Sequence, residues 1–429
     1  MRARRSEVGA VVGFGLLLVC SVLIAGGAAA RPSGQVPASR HGFPDWLRGP
    51  FQGLGFDGLT SHRFALLLLG VTVGYLAVLA CAGAVRPRWA IAAIVAVHAA
   101  FLLAPPLLSG DVFSYLEYAR VGTVHGLNPY ADAPTRIAGD LAYRFASEHR
   151  ITSPYGPLWT LVSDASTPFG VQAGMWALKA LAALASLGIV ALVWRGVRRA
   201  GRDPVGAALF VGLNPLVVLY AVGGAHNDLL MMLLAVGGIV LLTEPALPRP
   251  ALAGTALAAA AAVKASAALL LPFALVGTCG DRRRRALTGM LAVTAVLVLA
   301  ALLLFGVDAL NLVDVLGTEQ QRRALNSVPR AASRALGSHD LSEGVRVAFA
   351  AAFAAVAIGL LLWVRRGADW VTAAGWATLA LLLSTAWLLP WYGAWLMPVA
   401  ALSGDRRLRA AAIAFTAVYL ATKILPNLT

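Results

Sequence analysis

Residues 89–118 read WAIAAIVAVHAAFLLAPPLLSGDVFSYLEY, and this stretch decides the fold. Its apolar run from Trp89 to Leu108 gives way to a polar segment that begins Ser109-Gly110-Asp111. A carboxylate at the mouth of a membrane helix loses part of its hydration, so it is retained only where it is paired, faces a cavity or takes part in proton transfer. The stretch therefore predicts a membrane helix and, directly after it, chemistry at the membrane surface.

The composition places the rest of the chain in the membrane as well. Of the 429 residues, 59% are hydrophobic and 13% are charged, and the mean hydropathy is +0.75. Apolar runs of about 20 residues, each long enough to cross the hydrocarbon core as a helix, recur along the whole chain. Their continuous Ala, Leu and Val content does not fit a β-barrel, which needs alternating polarity. We expect an all-α integral membrane protein with many spanning helices.

The charge and the cysteines exclude two other classes of function. The formal net charge of +15 does not indicate a nucleic-acid partner, because the arginines cluster in short links between apolar runs, where they set orientation. Cys20, Cys81 and Cys279 are isolated and lie in or beside apolar stretches. Neither a disulfide framework nor a metal-ligand spacing is therefore visible.

The arginines also predict the topology, because the positive-inside rule assigns basic links to the cytoplasm. These links are Arg2 to Arg5, Arg86 to Arg88, Arg195 to Arg202, Arg249, Arg282 to Arg285, Arg365 to Arg366 and Arg406 to Arg409. The outward links are then residues 31–62, 109–170, 223–228, 306–345 and 390–392. The result is about thirteen passes, with the amino terminus inside and the carboxyl terminus outside. Residues 1–30 are either a cleaved signal peptide or, as their long apolar run favours, a retained signal-anchor helix.

Residues 251–279 have cytoplasmic signals on both sides, yet they are too long for one crossing and short for two. The simplest solution is a pair of short helices that meet at Lys264, which places the lysine near the outer side of the bilayer. The alternative is a single tilted helix from which Lys264 snorkels to the interface. In the first case the lysine becomes a candidate ligand for a lipid phosphate.

The segment after Asp111 has the spacing of an amphipathic helix lying in the interface. Asp111, Ser114, Tyr115 and Tyr118 share one face. Glu117 and Arg120 lie on another side and are expected to form a solvated pair. Asp111 also suits the simpler role of a helix N-cap, which Ser-Gly-Asp favours.

Four outward motifs combine aromatic, amide and imidazole side chains. His125 and Asn128 belong to one loop, and Tyr155 belongs to the Ser153-Pro154-Tyr155-Gly156-Pro157 segment. His226, Asn227 and Asp228 open an apolar helix, and Trp391 and Tyr392 follow Pro390 at a later turn. Such a mixture suits a sugar, because rings cover the apolar faces of pyranoses and polar groups meet hydroxyls. Aromatic residues also populate every membrane interface, which is the alternative for the tyrosines and tryptophans.

Four arginines, Arg322, Arg323, Arg330 and Arg334, lie in the outward loop 306–345. Arginine on the non-cytoplasmic side invites a phosphate or an anionic lipid. The loop also contains several carboxylates, so a locally balanced, solvated loop is the other interpretation.

In combination these motifs resemble the actinobacterial polyprenyl-phosphomannose-dependent α-1,6-mannosyltransferases, which are multi-spanning enzymes of the GT-C superfamily. The resemblance rests on five segments that occur in this order on one side of the membrane. They are residues 110–115 (GDVFSY), 125–130 (HGLNPY), 153–159 (SPYGPLW), 224–228 (GAHND) and 390–392 (PWY). It extends from about residue 63 to the carboxyl terminus, so we expect a transmembrane catalytic domain at 63–429 after an added signal-anchor helix and loop at 1–62.

The resemblance implies an inverting transfer of mannose from polyprenyl-phosphate-mannose to the 6-hydroxyl of a mannoside or lipomannan acceptor, at the outer face of a bacterial plasma membrane. Asp111 matches the characteristic carboxylate of the family and is expected to be the catalytic base. The predicted substrate-binding residues are Tyr115, His125, Asn128, Tyr155, His226, Asn227, Asp228, Lys264, Trp391 and Tyr392. No nucleotide cofactor and no obligatory metal are expected.

Two alternatives stay open at the level of the sequence. The first is another GT-C enzyme that uses a lipid-phosphosugar but differs in the sugar or the linkage. The second is a polytopic lipid or sugar transporter, for which a kinked segment around Lys264 would also be suitable. The sequence does not indicate an oligomeric state.

Overall fold

The computed structural model describes residues 2–244, 249–319 and 326–428. Its α-helices are α1 (Arg2–Ala30), α2 (Asp45–Arg48), α3 (Ser61–Ala80), α4 (Pro87–Leu103), α5 (Asp111–Thr123), α6 (Leu141–Phe145), α7 (Pro157–Asp164), α8 (Gly170–Arg199), α9 (Pro204–Gly212), α10 (Asp228–Thr243), α11 (Pro250–Val263), α12 (Leu270–Val276), α13 (Gly280–Phe305), α14 (Leu312–Glu319), α15 (Val328–Ala335), α16 (Glu343–Arg365), α17 (Trp370–Ser384), α18 (Gly393–Ser403) and α19 (Arg406–Ile424). Short 3-10 helices and one π-helix, Leu216–Val222, join several of them. None of the described residues lies in a β-strand, and the prediction of an all-α multi-pass protein is confirmed.

Six helical segments of the described chain are long and apolar enough to cross a membrane. They are Ser6–Ala30, Ser61–Ala80, Pro157–Arg199, Gly280–Val315, Glu343–Arg365 and Arg406–Asn427. One further candidate combines Pro204–Gly212 with Leu216–Val222 and is bent by 44°. The other apolar helices have 10–17 residues, which is fewer than the ~20 of a full crossing. The count of thirteen passes therefore stays a prediction.

The break at Lys264 is confirmed. Lys264 has an extended backbone (φ −152°, ψ 124°), so α11 ends at Val263 and a 3-10 turn leads from Ala265 into α12. The alternative of one tilted helix through residues 251–279 is wrong, because an extended residue interrupts the helical hydrogen-bond ladder.

The basic links and the Lys264 region lie at opposite ends of the bundle. Arg195 of α8 donates to the carboxylate of Glu244, just after α10, at 3.1 Å. Arg282 of α13 donates to the Leu242 carbonyl oxygen at 2.8 Å. The other end of α10 is Asp228, which binds Lys264. Since α10 has 16 residues, these two ends are separated by ~24 Å.

The amino-terminal loop packs against the segment that contains α5, α6 and α7, which the sequence predicts to face outward. The ring of Trp46 lies 6.4 Å from that of Phe113 and 5.4 Å from that of Phe145, between ring centroids. The backbone N–H of Leu108 donates to the Gln35 carbonyl oxygen at 2.7 Å. The loop thus supports the chain next to Asp111. The predicted domain boundary at residue 62 stays a prediction.

Helix α5 is not the amphipathic interfacial helix that the spacing predicts, because all residues from Val112 to Ala119 are buried. The predicted solvated pair of Glu117 and Arg120 is also wrong. Glu117 is fully buried, with its Oε1 2.7 Å from Nδ1 of His149. Arg120 instead donates from Nε and Nη2 to the Asp140 carboxylate, in three hydrogen bonds. The segment around α6 covers this face of α5 and supplies both partners. Burial, with the nearby Asp140 and Glu148 charges, raises the pKa of Glu117 to about 9.

Glycines hold α11 tightly against α13. A Cβ atom on Gly254 would lie 2.0 Å from the Ala286 carbonyl oxygen, and one on Gly289 would lie 2.0 Å from the Ala251 carbonyl oxygen. Small residues let helix backbones approach closely and gain dispersion contacts, which matter most where lipid removes the hydrophobic driving force. This contact fixes the position of α11 and therefore of Lys264 at its end.

We expect Gly289→Leu to destabilise the protein, because the added side chain must push α11 away from α13. Overpacking of this kind costs typically ~1–3 kcal/mol. The measurement is the thermal unfolding midpoint of the purified protein in detergent. Gly359→Leu on α16 is the matched control, since nothing lies within 4 Å of a Cβ there. Equal midpoints for the two variants would contradict the assigned contact.

Candidate functional site

Two turns with strained backbone angles bring Asp111 and His226 together. Leu108 (φ 63°) precedes Ser109-Gly110-Asp111, and Ala225 (φ 57°) directly precedes His226. Positive φ angles are uncommon for residues with a Cβ and persist only where the surrounding structure enforces them. Such strain is concentrated at functional sites, so the two turns mark a candidate site.

Asp111 occupies the first helical position of α5, and Gly110 is the N-cap residue. The side chain of Asp111 makes no capping hydrogen bond, so the N-cap alternative is not what the structure shows. The Asp111 backbone N–H donates to Oγ of Ser109 at 3.1 Å. The carboxylate is thereby left for other contacts.

The Asp111 carboxylate lies beside a buried histidine. Nδ1 of His226 is 3.3 Å from Oδ2 of Asp111, and the two side chains are 1% and 34% exposed. Burial raises the pKa of Asp111, but the His226 contact and charge, the Ser109 contact and the Lys264 charge outweigh it and hold that pKa below the ordinary value. Asp111 is therefore an ionised, partly accessible carboxylate at neutral pH. The imidazole is held from behind by Trp391, whose ring stacks on it at 3.7 Å.

A second charged pair lies on the Lys264 side of the site. Nζ of Lys264 donates to Oδ1 of Asp228 at 2.8 Å, and Nε1 of Trp395 donates to the same oxygen at 2.6 Å. The ammonium also lies 4.7 Å from the ring centroid of Tyr392 and 5.4 Å from that of Trp395. The rings of Tyr392 and Trp395 stack on each other at 4.1 Å. Carboxylate and ring faces together hold a lysine that is still 25% exposed.

Tyr115 joins α5 to the turn before α10. Its hydroxyl donates to Oδ1 of Asn227 at 3.4 Å and accepts the Asn227 backbone N–H at 3.3 Å. Its ring meets those of Tyr155 and Trp159 edge to face at 4.9 and 4.8 Å. Burial, followed by the nearby carboxylates, raises the pKa of Tyr115 well above its ordinary value. Tyr115 therefore remains a neutral hydrogen-bonding group.

Three consecutive buried residues retain hydrogen-bonding capacity. Within the described ranges, Nε2 of His226, Nδ2 of Asn227 and Oδ2 of Asp228 have no hydrogen-bond partner, and the contact of His226 Nδ1 with Asp111 has an ion-pair distance without hydrogen-bond geometry. Buried polar side-chain atoms are nearly always satisfied, so a cluster of exceptions calls for an explanation. A polyhydroxylated ligand that supplies both donors and acceptors would satisfy all three atoms.

His125 and Asn128 lie elsewhere. Nε2 of His125 is 2.8 Å from Oδ2 of Asp140, which also binds Arg120. The Asn128 side chain donates to the Phe305 carbonyl oxygen at 2.7 Å and ties this loop to the end of α13. The structure thus gives both residues partners within the protein and does not bring them to Asp111.

Of the four loop arginines, the structure describes Arg330 and Arg334. Arg322 and Arg323 lie outside the described residues. Arg330 lies 3.8 Å from the Asp340 carboxylate, between its Nη2 and Oδ1. Their predicted contact with a phosphate stays a prediction.

Two residues of the site, Ser109 and Trp395, were not among the predicted site residues. Ser109 was visible only as part of the break in the apolar run, whereas its hydroxyl contacts the start of α5. Trp395 lies three residues after Tyr392, on the same face of a helix. That spacing was the available signal, but the Asp228 partner comes from a distant part of the chain.

Side chains that bind metals do not converge at this site. Among the residues that the structure describes, no three His, Cys, Asp or Glu side chains are grouped closely enough to hold a metal ion. Glu117 is engaged by His149, and Asp228 is engaged by Lys264. The arrangement provides a base, a cation and several aromatic walls.

Comparison with known proteins gives matches over most of the chain. A family model described as "Alpha-(1->6)-mannopyranosyltransferase, N-terminal domain" matches residues 11–280, and one described as "MptB C-terminal domain" matches residues 334–427. The first match begins within α1, so it includes the helix and loop that the motif resemblance left out. No solved structure matches.

Two curated relatives illustrate the similarity. "Alpha-(1->6)-mannopyranosyltransferase A" of Mycobacterium tuberculosis is 31% identical over 345 residues, which cover 74% of this chain and 65% of the relative. The protein of the same name from Corynebacterium glutamicum is 33% identical over 181 residues, covering 40% of this chain and 35% of the relative. The chain thus aligns with less than two thirds of the length of these relatives. On the family-model match, this chain belongs to the alpha-(1->6)-mannopyranosyltransferase family.

Proposed function

We propose that the protein transfers mannose from polyprenyl-phosphate-mannose to the 6-hydroxyl of a mannoside or lipomannan acceptor, with inversion at the anomeric carbon. The observation that carries the proposal is the partly exposed Asp111 carboxylate, held 3.3 Å from buried His226 and kept ionised at neutral pH. Family membership supports mannosyl transfer as the reaction. It also favours an enzyme over a transporter.

Asp111 acts as the general base in this mechanism. As the acceptor oxygen attacks the anomeric carbon, the carboxylate takes the hydroxyl proton and the bond from that carbon to the phosphate oxygen breaks. Attack from the face opposite the phosphate converts a β-linked donor into an α-mannoside. His226 holds the carboxylate in place and keeps its pKa low, so the base is deprotonated before the acceptor arrives.

Lys264 is proposed to receive the charge of the leaving polyprenyl phosphate. Its ammonium has three N–H donors, and the described partner of one of them is Asp228. The Tyr392 and Trp395 rings keep the ammonium in place without neutralising it. A cation that is already positioned stabilises developing phosphate charge without reorganisation during the reaction.

The unsatisfied buried atoms are proposed to bind the sugars. Nε2 of His226, Nδ2 of Asn227 and Oδ2 of Asp228 are buried donors and acceptors without a partner, and the proposal requires them to become accessible to sugar hydroxyls when substrate binds. Trp391 and Tyr155 offer ring faces and edges for the apolar surface of a pyranose. The transfer is proposed to need no metal and no nucleotide, because base and cation are both supplied by side chains.

The outer side of the plasma membrane is the proposed location of the reaction. Supporting this, Asp228 lies at the end of α10 opposite Glu244, which binds Arg195. Basic links of this kind mark the cytoplasmic side. A site at the other end of the bundle then faces outward and meets an acceptor assembled outside the cell.

We expect Asp111→Asn to reduce mannosyl transfer by about 10²- to 10⁴-fold, because the amide cannot accept the proton. The measurement is the initial rate with labelled polyprenyl-phosphate-mannose and a short mannoside, followed by linkage analysis of the product. Asp57→Asn is the control, since the Asp57 carboxylate is 84% exposed and pairs only at the surface with Arg63. Wild-type transfer by a folded Asp111→Asn protein would remove Asp111 as the base.

The pH profile tests the role of His226. The base works only when ionised, so kcat/KM falls as the pH drops through the lowered pKa of Asp111. In His226→Asn, burial is no longer opposed by the imidazole, so the pKa of Asp111 rises and the acid limb moves to higher pH. His62→Asn, which changes an exposed histidine at the start of α3, should leave the limb unchanged. An unshifted limb in folded His226→Asn would exclude the proposed coupling.

We expect Lys264→Met to weaken use of the lipid donor. Loss of one charge-assisted contact corresponds to about a 10- to 100-fold decrease in kcat/KM for polyprenyl-phosphate-mannose. Inhibition by free polyprenyl phosphate should weaken in parallel. Lys423→Met is the matched control, because Lys423 lies over the ring of Tyr419 outside the site. Unchanged donor kinetics and product inhibition would show that the phosphate binds elsewhere.

A further inference from the structure

Lys179 is a fully buried lysine in the middle of α8. Its exposed fraction is 0%, and its neighbours along the helix are almost all apolar. Among the described residues, no carboxylate lies within ion-pair distance of its Nζ atom. An ionisable residue inside a membrane helix is costly, so its retention requires a specific use.

The ammonium of Lys179 binds two backbone carbonyl groups instead. Nζ donates to the carbonyl oxygen of Phe101 at 3.1 Å and to that of Gly223 at 2.9 Å. Phe101 lies in the last turn of α4, and its usual helical donor would be residue 105, which is a proline without an N–H. Lys179 therefore satisfies a carbonyl that the sequence leaves without a backbone partner.

The Gly223 carbonyl oxygen is a point at which hydrogen bonds join three segments of the chain. Besides Lys179 of α8, the backbone N–H of Leu107 donates to it at 3.0 Å. The end of α4, the connection to α5 and the turn before α10 are thus tied at one point. Leu107 is four residues before Asp111, and Gly223 is three residues before His226.

The remaining links from this junction to the site are short and strained. Leu108 (φ 63°) follows Leu107, and Ala225 (φ 57°) precedes His226. Strained residues keep their conformation only while neighbouring contacts enforce it. Release of the Gly223 carbonyl would let both links relax and would change the separation of the two side chains.

We infer that Lys179 is a positioning residue that fixes the contact between Asp111 and His226 by clamping the carbonyls of Phe101 and Gly223. The inference rests on the proposed function, in which that contact prepares the base. Lys179 touches neither Asp111 nor substrate, and its effect is on geometry. Misplacement of a catalytic group by about 1 Å costs on the order of 100-fold in rate.

The test combines kinetics with hydrogen–deuterium exchange of the full-length protein in detergent. Lys179→Met keeps an unbranched side chain, shorter by one atom, and removes its donors. We expect a fall in kcat of roughly 10- to 100-fold and an acid limb of kcat/KM at higher pH. We also expect faster exchange in residues 104–110 and 222–228. The groups that face Asp111 are His226, Lys264 and Tyr115, and none of them is changed by the substitution.

Tyr75→Phe is the matched control, since it removes two buried hydrogen bonds of Tyr75 of α3, one to the Phe210 carbonyl oxygen of α9 and one from Nδ2 of Asn214. It should lower the unfolding midpoint without moving the acid limb. Folded Lys179→Met with an unchanged acid limb and unchanged exchange would overturn the inference. If Lys179→Met does not fold, Lys179→Leu, which also lacks a donor, is held to the same two criteria.

Failure of the proposed function has a separate signature. Wild-type protein without mannosyl transfer would refute that function. The exchange data would then decide alone: faster exchange at both segments in Lys179→Met supports the clamp, and unchanged exchange refutes it.

Discussion

The carboxylate of Asp111 stays ionised at the edge of an apolar bundle because the His226 imidazole lies 3.3 Å from it. Partial burial alone would favour the protonated acid, which cannot accept a proton from a hydroxyl group. The other features of the site follow from this requirement. Trp391 holds the imidazole from behind, and strained turns at Leu108 and Ala225 bring the two side chains together. The helical bundle supplies a rigid frame, and the two turns align Asp111 with His226.

The site separates its charges into two pairs with different tasks. Asp111 with His226 is partly accessible and is suited to handling a proton, whereas Lys264 with Asp228 is braced by the rings of Tyr392 and Trp395. A break in the helical segment supplies the lysine, and the start of α10 supplies both His226 and Asp228. One short turn therefore contributes to both pairs. Because this turn contributes to both pairs, three adjacent polar residues stand at the start of an otherwise apolar helix.

Much of this arrangement could be predicted from the sequence, because each motif interrupts an apolar run. Asp111, the His226 triplet and the Lys264 break were visible as polar residues where a membrane helix should continue. What could not be predicted is which side chains meet across long separations. Helical spacing placed Glu117 and Arg120 on a solvated face, yet the segment around α6 covers that face and provides His149 and Asp140 as partners. His125 contacts the same Asp140 carboxylate and therefore does not lie at the site.

The short helices that end at the site have a consequence for the surrounding lipid. Helix α11 has 14 residues and extends ~21 Å, which is less than the ~30 Å thickness of a bilayer's hydrocarbon core. Such hydrophobic mismatch makes the bilayer thin locally or leaves the end of the helix submerged. Where the bilayer thins, headgroups and the Lys264 ammonium come to a common depth, and in the proposed mechanism the donor phosphate then reaches the lysine without leaving its leaflet. Under the proposed function, acyl-chain length in the host membrane then affects how readily the donor phosphate meets Lys264.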